Sequence, residues 1–259
     1  MKKTYLAMAV AAASFVATPA IAQDYQMEAG LSYISLSPDV GSSDSAIGVD
    51  FTYHLEQVST AGKPLAEAAW LNRNNNVGLG FTTVDKADFD IINLNGEFWV
   101  EDIYLAVDLD RWDGANDDDI DFEVSAGFMV NEGLLAYAKV IKNTSSYDDE
   151  TGFGVGAKYV ADMGGNFVNL EGELNSIDSN MEINVAGDFY LTHDLSVGLS
   201  LSALNLDDKY KPFWDDKLEV GVNAKYFFLP NAYGSLEYIL NEDHTDKDSA
   251  IGLRLAARF

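Results

Sequence analysis

Ala250-Ile251-Gly252-Leu253-Arg254-Leu255-Ala256-Ala257-Arg258-Phe259 closes the chain, with apolar residues at the odd numbers and glycine, arginine or alanine at most of the even ones. A period of two places successive side chains on opposite faces of a strand. Leucines on one face and arginines on the other describe a strand between hydrocarbon and water. The same alternation recurs upstream. Ile47, Val49, Phe51, Tyr53 and Leu55 oppose Gly48, Asp50, Thr52 and His54; Ile120, Phe122, Val124, Ala126 and Phe128 oppose Asp121, Glu123 and Ser125. Met181, Ile183, Val185, Gly187 and Phe189 oppose Glu182, Asn184 and Asp188, and Leu218, Val220, Val222, Ala224 and Tyr226 oppose Glu219, Asn223 and Lys225. Fourteen such segments can be read between Tyr25 and Phe259. A soluble sandwich shares the alternation, but this even number of regular segments selects an all-β, transmembrane antiparallel up-and-down β-barrel of fourteen strands.

The start of the chain gives it an address. Lys2 and Lys3 precede a short apolar run from Tyr5 to Val16, and Ala20-Ile21-Ala22 is a small-residue cleavage pattern, so residues 1–22 read as a signal peptide and 23–259 as the barrel. No stretch reaches the roughly 18 to 20 apolar residues that a spanning helix needs. The absence of cysteine leaves no lipid attachment at the cleavage point, no disulfide and no thiolate metal site. Without Lys2 and Lys3, 14 basic residues face 42 acidic ones, a net charge of -28. Such a balance argues against nucleic acid as a partner and favours cations.

The connections alternate between short turns, such as Glu101-Asp102, and longer polar ones, such as Ser37 to Ser45 and Leu206 to Asp216, as expected for periplasmic turns and outer loops. One connection departs from this. Glu56 to Asn75 falls on the short-turn side yet is about twenty residues long, and Pro64 to Leu71 reads as a short helix with proline in its first turn. Two readings stay open for it. It can be an interfacial helix under the barrel with Trp70 at the headgroups. Alternatively, Pro64, Leu65, Glu67, Trp70, Leu71 and Arg73 belong to a plug resting on a bare wall formed by Gly30, Gly48, Gly78 and Gly80.

The stretch Lys63-Pro64-Leu65-Ala66-Glu67-Ala68-Ala69-Trp70-Leu71-Asn72-Arg73-Asn74-Asn75-Asn76-Val77, following Tyr53-His54-Leu55, resembles a motif of the general porins of Gram-negative outer membranes. The signal peptide, the first strand Tyr25-Gln26-Met27-Glu28-Ala29-Gly30 and the terminal Arg258-Phe259 are similar too. The resemblance implies a passive pore for water and small solutes in the outer membrane, and brings no catalytic residues.

Parity assigns the polar face its charges. The expected pore-lining residues are Glu28, Asp50, Glu97, Asp108, Asp121, Glu123, Lys158, Glu171, Glu173, Glu182, Asp188, Glu219, Lys225, Arg254 and Arg258, with Asp110, Lys139 and Glu237 on the same face. The tally is thirteen acids against five bases, so the sequence leads to a narrow, cation-preferring diffusion channel for water and small hydrophilic solutes, with no cofactor. Outer-membrane lipid and lipopolysaccharide are its expected surroundings. A non-conducting barrel with adhesive acidic loops is a second reading. A hydrolase is a third, because Asp243-His244-Thr245-Asp246 superficially offers a histidine with acids; a solvated acidic loop accounts for that stretch more simply. Gly152, Gly154 and Gly156 share one strand face and are read as making room for an aromatic neighbour or an infolded loop, not as a phosphate cradle.

Overall fold

The computed structural model describes residues 24–38, 41–86, 89–114, 118–144, 149–178, 180–205, 217–242 and 247–259. The expected signal peptide, the loop 206–216 and the stretch 243–246 with His244 lie outside them. Fourteen strands follow in order: β1 Tyr25–Ser37, β2 Asp44–Val58, β3 Asn76–Val84, β4 Phe89–Val100, β5 Ile103–Gly114, β6 Asp118–Asn131, β7 Leu134–Thr144, β8 Asp149–Asp162, β9 Phe167–Ile177, β10 Asn180–Tyr190, β11 Leu195–Asn205, β12 Lys217–Leu229, β13 Ala232–Glu242 and β14 Lys247–Arg258. Each pairs with its neighbour in sequence, and β1 pairs with β14 to close the cylinder. Closure leaves no unpaired edge, which is what allows a sheet to sit in hydrocarbon.

The quoted C-terminal stretch makes that closure. In it Leu31 stands opposite Leu255 and Glu28 opposite Arg258, so apolar meets apolar on one face and charge meets charge on the other. Phe259 ends the seam: its carbonyl accepts from the Gln26 and Met27 amides at 2.6 and 3.0 Å, and its own amide donates to the Met27 carbonyl at 2.9 Å.

The apolar faces all point outward. Leu79, Leu94, Phe153, Leu199 and Leu255 are more than half exposed to the surroundings. On a water-soluble protein so continuous an apolar surface would be an association site; around a barrel it is the lipid-facing band. Outward aromatics lie toward both rims, with Tyr53, Phe128, Tyr159 and Phe228 near the short turns and Tyr33, Phe122 and Tyr238 further out.

Several strands run further at the outer rim than the sequence pattern indicates. β5 and β6 stay paired as far as Asp113 opposite Asp118, beyond the last apolar alternation at Ile120, and β7 and β8 stay paired to Thr144 opposite Asp149. Beyond the bilayer both faces meet water, so the backbone ladder persists after the apolar alternation has ended.

Candidate functional site

The polar faces converge on the interior, and their charges are sorted along the barrel axis. Lys158, Lys225 and Arg254 each lie four residues from the short-turn end of their strand, Lys139 lies five from it, and Arg258 is at the end itself. Asp110, Asp121, Glu123, Glu182 and Glu219 lie further toward the outer rim. On the β5–β6 wall Asp108 faces Glu123 and Asp110 faces Asp121. Asn93 Nδ2 donates to Asp108 and Asp110 at 3.2 and 2.9 Å, and Trp112 Nε1 donates to Asp121 at 3.1 Å. These polar partners hold the carboxylates apart without neutralising them.

At the short-turn end the charges are paired instead. Lys139 Nζ bridges Glu123 and Glu173 at 3.0 and 2.9 Å. Arg254 contacts Asp50 and lies 3.2 Å from Glu28, and Arg258 Nε lies 2.6 Å from the other Glu28 oxygen. Lys158 Nζ lies 2.9 Å from Glu171. Glu182 accepts from Asn175 at 3.1 Å, and Asp188 accepts weakly from Asn169 at 3.5 Å. Glu219 stands opposite Ser202 and Asn241. Lys225 makes no ion pair among the described residues and sits 5.5 Å from the centre of the Tyr233 ring.

Inward tyrosines complete this belt, and the charge count overlooks them. Tyr104, Tyr190 and Tyr233 donate to Glu97, Glu67 and Glu28 at 3.1, 2.7 and 2.8 Å, and Tyr137 donates to Glu173. Their signal in the sequence is parity: each shares the polar face of its strand.

Across this belt runs the connection between β2 and β3. Leu65–Glu67 forms one turn of 3₁₀-helix and Ala68–Leu71 one turn of α-helix, α1. Pro64 supplies the fixed φ that starts the turn, and Arg73, at φ 55°, ends it in the left-handed region. Asn72 holds the base of the loop, donating to the Ser59 carbonyl at 2.6 Å while Lys63 donates to its side chain. The Leu65 amide donates to the His193 carbonyl at 2.9 Å, and its own carbonyl accepts from Arg258 at 2.8 Å. Glu67, 6 % exposed, lies 3.1 Å from Lys158 on β8 and accepts from Tyr190 on β10. Leu65 packs on Phe227, Tyr233 and Ala256, while Trp70 packs on Trp99, Tyr104 and Leu135. A segment that touches inward side chains of β4, β5, β7, β8, β10, β12, β13 and β14 lies inside the cylinder.

Two expectations are corrected here. Trp70 is not at the headgroups: its ring faces the barrel interior, with Lys158 Nζ 5.2 Å from its centre. Buried cations and aromatic walls draw the segment inward. The bare glycine wall is not its seat either. A Cβ on Gly30 would strike Asp50 and Arg254, one on Gly48 would strike Ser32 and Thr82, and those on Gly78 and Gly80 would meet Asn95 and Asn93. The glycines make room for polar side chains of neighbouring strands. Of the three β8 glycines, Gly156 makes room for the Tyr137 ring, as the aromatic-neighbour reading expects, whereas Gly154 makes room for Asn175 and Lys139 and Gly152 for Ile177.

A closed, lipid-faced cylinder with a charged interior defines an outer-membrane barrel of the porin class. Residues 1–150 match the family described as "Putative general bacterial porin". The chain belongs to this family. Among solved structures, the outer membrane protein Omp33 of Acinetobacter baumannii is similar at 22% identity and TM-score 0.71, over 92% of this chain and 100% of that one. The CymD monoaromatic hydrocarbon channel is similar at 8% identity and TM-score 0.57, over 92% and 89%, and a bacterial polysaccharide outer membrane secretin at 11% and 0.54, over 92% and 99%. At these identities the likeness is one of fold. No curated protein sequence matches this chain.

Proposed function

We propose that this porin is a passive channel for water and small hydrophilic solutes, that it passes cations ahead of anions, and that the segment Pro64 to Arg73 narrows its lumen from the periplasmic side. The observation that carries this reading is the sorting of charge. Going inward from the outer rim, Asp110, Asp121, Glu123, Glu182 and Glu219 precede Lys158, Lys225 and Arg254, and among the described strand residues the inward-facing base nearer the rim is Lys217, at the outer end of β12. Fixed negative charge beside a low-dielectric wall concentrates counter-ions and repels co-ions. The bases further in are mostly consumed in pairs with Glu28, Asp50, Glu67, Glu171 and Glu173, so they subtract little from the field that an entering ion meets.

Two measurements test the reading. In a salt gradient across a planar bilayer the reversal potential carries the sign of cation preference; the opposite sign refutes selectivity. Removal of 62–72 from the folded barrel raises single-channel conductance several-fold, because the segment's side chains otherwise occupy the section between β4 and β14. Unchanged conductance refutes the plug.

A further inference from the structure

The crossing segment does not fill the barrel evenly. Its first half is fastened to the wall through the Leu65 backbone, the Glu67 carboxylate and the Leu65 side chain, all on the side of β8 and β10 to β14. Ala68 is sealed against Tyr25 and Val58. Beyond Ala68 the segment is tied again at the base of the loop, by Asn72 to the Ser59 carbonyl and by Arg73 to Asp102 at 2.6 Å and to the Glu101 carbonyl at 3.2 Å, and what is left unfastened between the two ends is a side chain. The Trp70 indole makes no hydrogen bond among the described residues and is held by packing against the Trp99 cluster and by Lys158. Past it, between α1 and the periplasmic ends of β6, β8 and β9, lies a cavity of about 660 Å³ lined by Trp70, Leu71 and Arg73 on one side and Met129, Glu132 and Val160 on the other.

We propose that this cavity is the exit of the permeation path and that Trp70 is its gate. The inference rests on the plug reading above and adds the side on which solute passes. A pocket of this size lies within the range that admits small molecules, roughly 300 to 1,000 Å³. Its walls mix Lys63 and Arg73 with Glu132 and Asp162, so an ion of either sign finds counter-charge on leaving. Turning the indole away separates apolar packing and the Lys158 contact and breaks no hydrogen bond among the described residues. Moving the first half of the segment would break hydrogen bonds and strip a buried carboxylate of its lysine. The Trp70 side chain is therefore the part that turns, while the backbone on both sides of it stays held.

The cysteine-free sequence makes the test clean. Trp70→Ala raises single-channel conductance several-fold over the parent. In that background a bulky neutral methanethiosulfonate reagent on Glu132→Cys removes most of the gain, whereas the same label on Asp194→Cys, in the opposite periplasmic turn, leaves it intact. Heat-modifiable gel mobility reports folding. If Trp70→Ala does not fold, Leu71→Ala, which trims the same cavity wall, replaces it as background. An unchanged conductance in these variants, with a raised one in the 62–72 deletion, places the path elsewhere and leaves the plug standing. Loss of current on labelling Asp194→Cys alone overturns the inference in the same way. If the deletion itself leaves conductance unchanged, the plug and its gate fall together.

Discussion

Arg258 is where barrel closure and the crossing segment meet. Its Nε lies 2.6 Å from Glu28 across the β1–β14 seam, it donates to the Leu65 carbonyl at 2.8 Å, and its guanidinium lies 4.4 and 4.7 Å from the Tyr25 and Phe227 ring centres. At 6 % exposure it is a desolvated cation whose planar fork serves two acceptors while its faces meet aromatic rings. Removing one partner of such a network leaves the other buried and underpaired, at a cost of about 3 to 5 kcal/mol. Arg258→Ala is therefore expected to lower the unfolding free energy of the barrel in detergent by that amount, read from its urea unfolding curve. Arg258→Lys, which keeps the charge and loses the fork, should fall between the two. The sequence places Arg258 on the polar face and beside the end of β1. It carries no sign of Leu65, because those residues are 193 positions apart and meet only once the cylinder has closed.

At the scale of the element, a strand was legible wherever lipid imposed a strict alternation. β2, β6, β10 and β12 each combine an outward apolar face with polar partners, and each pairs through the register that parity requires. Where the alternation ends, as at the outer ends of β5 to β8, the pattern stops short of the strand, because nothing in the alternation marks the paired backbone beyond it. The helical turn at Pro64 to Leu71 was legible from its proline and alanines, but its seat was not. Contacts such as Tyr190 to Glu67, 123 positions apart, depend on the whole bore. The glycines illustrate the same limit: their presence signals close approach, and only the register shows what approaches. Gly156 lies beneath the Tyr137 ring, whose hydroxyl donates to Glu173. Gly156→Val should therefore push the ring off that carboxylate and destabilise the barrel by about 1 to 3 kcal/mol, the usual range for overpacking. Gly172→Val is the comparison, since that position faces outward and has only a distant backbone atom in reach, so it should change stability little. Unfolding midpoints of the two variants check the difference.

For the whole molecule, what matters is where charge sits along the axis rather than how much there is. The net charge of -26 would favour cations near the surface of any protein. Here Asp108, Asp110, Asp121 and Glu123 form two directly opposed pairs on neighbouring strands, and among the described residues Lys139, at 3.0 Å from Glu123, is the one base that makes an ion pair with them. Charges on a water-filled wall act through the screening length, which is about 10 Å at 0.1 M salt and about 3 Å at 1 M. At the lower concentration the field of this wall spans much of a narrow lumen; at the higher one it reaches little beyond the carboxylates. Cation preference should accordingly be strong at 0.1 M and largely lost at 1 M. The quadruple variant Asp108→Asn, Asp110→Asn, Asp121→Asn and Glu123→Gln keeps the side-chain volumes, so it should show the weakened preference already at 0.1 M, with its conductance in 1 M salt near the parent's. Reversal potentials at the two ionic strengths decide this. A preference that persists in the variant would assign selection to the outer loops instead of the β5–β6 wall.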